Sequence, residues 1–285
     1  MIMKVEMNEN SWITLKAWPE LVLERLENEG VSRITLNRPE KRNAINEALV
    51  AAFFESLEII RADREIKVVI TRGAGSVYSA GLDLHFLRSV SNSGLLDWDR
   101  PTPTIQLAEA LRDFPRIMIA QVHGYCLGGA LGIVNCHDLV FAAADAQFGM
   151  PEILRGSFGQ LVTSTLVHGA IPLKKVTLMQ LVGKNISGEE ADRWGIISQS
   201  LPAADLEQTV TEVATNIGAR HLAPLEHSKI TVQMGRDLTM SQAIQLDQLV
   251  GQRLRRAMDP LEDVEAYLES QKGGPNLKYK RPDVK

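Results

Sequence analysis

The sequence predicts an α/β fold with a largely parallel sheet, followed by a helical C-terminal region. Three observations carry this expectation. Short β-branched runs alternate with segments whose apolar residues recur every three or four positions, the order expected of strands and helices in turn. Two of the runs, Lys67–Thr71 and Ile117–Val122, end in glycine-containing loops that lead into helical patterns. From Asp205 onward only helical periodicity is found, over 205–218, 222–234, 239–257 and 260–270. The expected division is a core over 1–204 and a helical region over 205–285.

Taken in order, residues 1–19 read as a loose leader. Leu21–Glu27 and Val31–Leu36 alternate apolar and polar side chains, which suits two half-buried strands around a turn at Asn28–Gly30. Asn37-Arg38-Pro39 stops the second strand, because proline cannot donate to a ladder. Leu49, Phe53, Leu57 and Ile60 share one face of a helix between Asn46 and Asp63. Lys67–Thr71 is a buried strand, Gly73–Gly81 a loop of small residues, and a helix starts at Leu82. The order then repeats: helix at Ile105–Phe114, strand at Ile117–Val122, glycine loop at His123–Gly129, helix from Gly129, strand at Asp138–Ala142. Ser187-Gly-Glu-Glu190 has the spacing of a capping box. Ile196–Leu201 is a last strand, and the tail over 272–285 is basic.

Composition narrows the function classes. The 285 residues are 45% hydrophobic and 23% charged, which excludes a disordered or low-complexity chain. Thirty-one basic against 35 acidic residues give a net charge of −4, the wrong sign for a nucleic-acid footprint. Cys126 and Cys136 have neither zinc nor redox-motif spacing and are expected as reduced thiols. His123 and His137 lack companion ligands, so no metal is expected. No apolar run reaches the roughly 18 residues of a spanning helix, and the acidic start is unlike a signal peptide. The expectation is a cytoplasmic protein that binds no membrane. Gly73-Ala-Gly75 lacks the third glycine of a dinucleotide fingerprint, and neither a P-loop nor a nucleophile elbow occurs.

Three segments could carry chemistry. In Tyr78-Ser79-Ala80-Gly81-Leu82-Asp83-Leu84, small residues pass from a loop into a helix. The segment is either a source of free backbone N–H donors or a tight turn with Asp83 as cap. His123-Gly-Tyr-Cys-Leu-Gly-Gly129 is a second loop of the same kind, a donor loop or a packing turn. Two converging N–H donors make an oxyanion hole, which would stabilise an enolate or a tetrahedral oxyanion. In Phe148-Gly-Met-Pro-Glu152, an acid in apolar surroundings is either a desolvated general acid/base or a solvated loop carboxylate.

These segments, with Ile34-Thr-Leu-Asn-Arg-Pro-Glu-Lys-Arg-Asn-Ala44 before them and Ile186–Ile196 after, come in the order that resembles the enoyl-CoA hydratase/isomerase (crotonase) superfamily. The resemblance implies a spiral core of ββα units and a helical C-terminal region that drives trimerisation, often to hexamers. It implies an acyl-CoA substrate, with coenzyme A carried as part of that substrate and no further cofactor. The thioester oxygen would sit between the N–H groups of Ala80 and Gly129. Lys41, Ala44, Ala80, Gly81, Asp83 and Leu84 would line the CoA arm, and Glu152 matches a catalytic glutamate.

One departure bears on the reaction. Where typical hydratases of this family carry another glutamate, this sequence has Gly132. Hydroxycinnamoyl-CoA hydratase-lyases also lack that glutamate and are similar over Gly156–Val162 and Leu246-Asp-Gln248, but their substrate-phenol tyrosine matches Leu87 here. The nucleophilic aspartate of aryl-CoA dehalogenases falls on Gln160, which argues against dehalogenation. The expected activity is hydration or dehydration of an enoyl-CoA, with or without C–C cleavage. Isomerisation, decarboxylation and non-catalytic acyl-CoA binding stand as alternatives.

Overall fold

A computed structural model describes residues 11–86, 88, 102–257, 264 and 268. The strands are β1 (Trp12–Ala17), β2 (Leu21–Leu26), β3 (Val31–Leu36), β4 (Val68–Gly73), β5 (Ile117–Val122), β6 (Tyr125–Leu127), β7 (Leu139–Ala143), β8 (Gln147–Gly149), β9 (Ile186–Ser187) and β10 (Gln199–Leu201). The helices are α1 (Glu47–Ala62), α2 (Pro103–Arg112), α3 (Gly129–Val134), α4 (Gln160–His168), α5 (Leu173–Val182), α6 (Gly188–Trp194), α7 (Leu206–Gly218), α8 (Leu222–Gly235) and α9 (Met240–Ala257).

The main sheet has the order β1-β2-β3-β4-β5-β7-β10. β1, β2 and β3 pair antiparallel, and every pairing from β3 to β10 is parallel. β4 and β5 are buried along almost their whole length, as suits strands covered on both faces. α1 packs on β2 and β3, and α7 packs on β3, β4, β5 and β7. Phe53, Phe114 and Phe148 are the largest side chains sealed in the core. A second sheet, β6-β8-β9, is made of very short strands. Its first two strands run parallel, and each leads directly into one of the segments singled out for chemistry.

The expected alternation of strands and helices is present, with three differences. Residues 12–17 form β1 rather than a loose leader. Most of this edge strand is exposed, so the alternation that marks a half-buried strand is absent. Side chains secure it instead: Arg33 stacks on Trp12 at 4.0 Å, and Glu55 binds Lys16 and the Trp18 indole. β6 and β8, three residues each, lie where a glycine loop and its surroundings were expected, because three residues are too few to show a period. The chain divides into two compact units, 1–220 and 221–285, so α7 belongs with the sheet and not with the region expected to start at 205. In the second unit α8 and α9 pack on each other. The expected helix over 260–270 is described only at 264 and 268, and the tail over 272–285 lies outside the described residues. Among the described residues no helix is long and apolar enough to cross a membrane.

The capping box forms as the spacing predicts. Ser187 Oγ accepts from the Glu190 N–H at 3.1 Å, and Glu190 Oε2 accepts from the Ser187 N–H at 3.3 Å. Ser187→Ala should lower unfolding free energy by about 1 kcal/mol in urea denaturation.

Candidate active site

The site begins with the loop between β3 and α1. Asn43 is fully buried with φ of +53°, a left-handed conformation that asparagine tolerates better than most residues. Its side chain accepts from the Arg38 N–H and donates to the carbonyls of Ala74 and Val77, each at 2.9 Å. This ties the loop over 38–44 to the loop after β4. Arg38 adds a second tie, donating both to the Ala44 carbonyl and, at 3.0 Å, to the Asp83 carboxylate. Asp83 also accepts from the His85 N–H at 3.0 Å. Burial pushes its pKa up, but the Arg38 bond and the His85 amide outweigh burial and hold it below its ordinary value.

The first donor segment is then threaded between two neighbours. On one side it forms a parallel bridge with Ile45: Ile45 N–H donates to the Gly81 carbonyl at 2.8 Å, and Asp83 N–H donates to the Ile45 carbonyl at 2.9 Å. On the other side Ser79 bridges to Cys126 of β6, with bonds from Ser79 N–H to Tyr125 O and from Leu127 N–H to Ser79 O. The Ala80 N–H donates to the Arg42 carbonyl at 2.9 Å. That bond removes Ala80 from the expected donor pair, since its amide is turned to the protein and already used. The free amide lies two residues on. In the bridge to Ile45 the bonding groups belong to Gly81 and Asp83, so the intervening Leu82 amide faces away from Ile45. The Leu82 N–H has no partner among the described residues.

The second free amide is that of Gly129, in the other segment expected to carry donors. Gly129 is the first residue of α3, where a helix leaves its N–H groups unpaired, and its amide has no protein partner among the described residues. Gly81 brings the two segments together. Its φ is +90°, and a Cβ there would fall 2.5 Å from the Leu127 carbonyl and 3.3 Å from the Gly129 nitrogen. Only a residue without a side chain permits that approach.

Glu152 reaches the same place through the small sheet. β8 runs parallel to β6, and the Gly128 N–H donates to the Gly149 carbonyl at 2.9 Å. Glu152, in the turn Pro151–Arg155 just after β8, thereby lies against the glycine loop. A Cβ at Gly128 would fall 2.5 Å from its Oε1. Its Oε2 is buried with no hydrogen-bond partner. Burial raises the Glu152 pKa, and neither its backbone hydrogen bond nor the charge of Arg155 cancels that.

Among the described residues, Glu152 is the acid that lies against this face. Positions 128 and 132 are four residues apart and share one side of the helix start. Glu152 lies against the first of them and Leu161, from α4, against the second: a Cβ at Gly132 would fall 2.7 Å from Leu161 Cγ. The space one turn beyond Glu152 is therefore filled by an aliphatic side chain. Thr104 of α2 closes the third side, its Cγ2 lying 2.9 Å from a Cβ built at Gly129. The packing roles of Leu161 and Thr104 were missed in the sequence, and no local signal could have found them, because they reach the site from helices distant along the chain.

The other expected residues share one surface. Lys41 is exposed at the end of the turn Pro39–Lys41, Ala44 is half-buried beside it, and Leu84 is exposed. The Ile45 bridge joins this loop to Gly81 and Asp83. The Asp83 carboxylate is spent on Arg38 and His85, so its side chain braces the surface. Leu87 lies outside the described residues. Among the described residues no group of three or more His, Cys, Asp or Glu side chains could hold a metal ion. The arrangement can polarise a carbonyl with two amides and move a proton with one carboxyl group.

A family model described as enoyl-CoA hydratase/isomerase matches residues 26–276. The chain is 29% identical over 237 residues to a hydroxycinnamoyl-CoA hydratase-lyase from Pseudomonas fluorescens, covering 82% of this chain and 83% of that protein. It is 28% identical over 260 residues to the 2,3-dehydroadipyl-CoA hydratase of Escherichia coli (strain K12), covering 91% and 98%. A solved structure of enoyl-CoA hydratase from Mycobacterium smegmatis superposes with a TM-score of 0.79 at 25% identity, covering 89% of this chain and 97% of that one.

Two glycines with positive φ differ both in ψ, +24° at Gly156 against −130° at Gly128, and in what surrounds them. Gly156 has φ of +72° and nothing within 4 Å of a Cβ, whereas Gly128 has φ of +55° and the Glu152 carboxyl in that space. Gly156→Ala should cost about 1–2 kcal/mol from backbone strain alone. Gly128→Ala should cost more, and Glu152→Ala in the same chain should recover part of the difference, read from urea denaturation of the two single variants and the double variant.

Proposed function

The chain belongs to the enoyl-CoA hydratase/isomerase family, and from that premise we propose that it hydrates an enoyl-CoA thioester, or runs the reverse dehydration, with Glu152 as its acid/base. The observation that carries the reading is the desolvated Glu152 carboxyl, its Oε2 buried without a partner, beside a glycine loop with an unpaired amide. Coenzyme A enters as part of the substrate, its arm crossing Lys41, Ala44 and the segment over 80–84. The thioester oxygen accepts from the Leu82 and Gly129 N–H groups. Negative charge gathers on that oxygen as the enolate forms, so the bonds are stronger in the transition state than in the bound substrate. Loss of one such donor typically costs about 2.7–4 kcal/mol in barrier.

One carboxylate suffices for the proton balance. Ionised Glu152 takes a proton from water as the water oxygen bonds to the β-carbon, and the electron pair of the double bond moves to the thioester oxygen. The enolate then collapses and its α-carbon takes the proton back from Glu152. A second reading, isomerisation, is favoured by the Leu161 side chain at Gly132. A 1,3-proton shift removes a proton from one carbon and returns it to another, and it has no water to orient. The copies of this chain are proposed to assemble as homotrimers or hexamers, a reading supported by exposed Leu154, Leu173 and Leu181 on one chain.

A panel of 2-enoyl- and 3-enoyl-CoA esters, followed by the conjugated-thioester absorbance, tests both readings. Glu152→Gln should lower kcat by about 10²–10⁴-fold. Equal rates for wild type and variant would remove the assigned role. The pH dependence has a definite sign. A raised pKa keeps the proton on Glu152 to higher pH, so the acid limb of kcat/KM should lie above the ordinary carboxylate range. The same shift makes ionised Glu152 a stability cost, absent at low pH and felt as pH rises through the folded-state value. Glu152→Gln should therefore melt at or above the wild-type temperature at neutral pH while losing activity.

A further inference from the structure

A chain of buried hydrogen bonds joins the roots of the two donor segments. Thr71 on β4, Tyr78 at the start of the first segment, and His137 just after α3 are all buried. Thr71 Oγ1 lies 2.9 Å from the Tyr78 hydroxyl and 2.8 Å from His137 Nε2. His137 Nδ1 lies 3.1 Å from the Ile133 carbonyl.

With a neutral imidazole at His137, the partners give the run a single direction. A carbonyl only accepts, so Nδ1 carries the hydrogen. In the neutral ring Nε2 is then an acceptor, and the Thr71 hydroxyl must donate to it. Thr71 has one hydrogen, so toward Tyr78 it accepts, and the phenol donates. Burial keeps that phenol protonated by raising its pKa. The run Tyr78 to Thr71 to His137 to Ile133 is thus one-directional, the arrangement in which successive bonds polarise one another.

Its two ends matter for the site. Tyr78 sits at the mouth of the segment that carries Leu82. Ile133 is one helical turn from Gly129, and α3 is a single short helix, so a shift at Ile133 carries Gly129 with it. The Ser79–Cys126 bridge joins the two segments on their cleft side, and the hydroxyl–imidazole chain joins them through the core. We infer that Thr71 is a positioning residue that, through Tyr78 and His137, sets the spacing between the Leu82 and Gly129 amides. Thr71, Tyr78 and His137 are all buried, so they act through the backbone they anchor. The inference rests on the donor-pair reading above, and its effect appears as carbonyl polarisation.

The test is the spectral shift of a conjugated enoyl-CoA on binding, read with kcat and KM. Two aligned amides pull electron density toward the thioester oxygen, so the wild type should shift the absorbance to the red and lower the carbonyl stretching frequency. Thr71→Val keeps the side-chain shape and deletes both bonds. It should lose most of the shift and about tenfold in kcat with KM little changed. Thr71→Ser should restore both. Tyr78→Phe, which removes one oxygen, should give an intermediate shift and provides the reading where the valine variant does not fold. Wild-type shift and kcat in folded Thr71→Val or Tyr78→Phe would overturn the inference. A wild type that binds the ester with no shift would instead overturn the donor pair itself.

Discussion

The parallel pairing of β6 with β8 is the constraint from which the site follows. Each strand is three residues long, yet each leads to a group of the candidate site: β6 to Gly128 and Gly129, β8 through Met150 and Pro151 to Glu152. Running side by side in one direction, they deliver the amide and the carboxyl to the same point. The Ser79–Cys126 bridge adds the first donor segment to β6, so three separate parts of the chain meet on one short ladder. Backbone bonds of this kind are stiff, which suits a site whose donors are themselves backbone groups.

Close approach then decides which residues are tolerated. Gly81 admits the Leu127 carbonyl, Gly128 admits the Glu152 carboxyl, and Gly132 admits Leu161. The last of these shapes the chemistry. A carboxylate one turn beyond Glu152 would have to displace Leu161, so the proposed reaction assigns its proton traffic to Glu152. Desolvation, which raises the Glu152 pKa, is the same circumstance that suits a carboxyl to both accept and donate a proton. Asp83 shows the opposite case. It is also buried, but Arg38 and the His85 amide hold it ionised, and it serves as a brace.

Most of the architecture was legible in the sequence because burial imposes periodicity. β2 to β5, β7, α1 and the capping box at Ser187 each carry a pattern that a strand or helix packed on a core must have. The family resemblance pointed to the spiral α/β fold, and the superposition on enoyl-CoA hydratase from Mycobacterium smegmatis agrees with it. β1 was illegible because an exposed edge strand need not alternate, and β6 and β8 because they are shorter than any detectable repeat. The end of the first unit was placed too early because the helical pattern of α7 says nothing of what α7 packs on.

The sequence by itself determined the glycine loops, the acid at Glu152 and the missing carboxylate at Gly132. These are properties of side chains, or of their absence, and the letters record them directly. Which amides are free was decided only by the tertiary structure. Ala80 and Leu82 have the same N–H, and the difference between them is that Arg42 offers its carbonyl to one and Ile45 turns the other outward. In the same way, nothing in the sequence links Thr71, Tyr78 and His137 until the fold brings them within hydrogen-bond reach. Backbone donors and long-range contacts depend on where the chain goes, and that depends on the packing of the whole first unit.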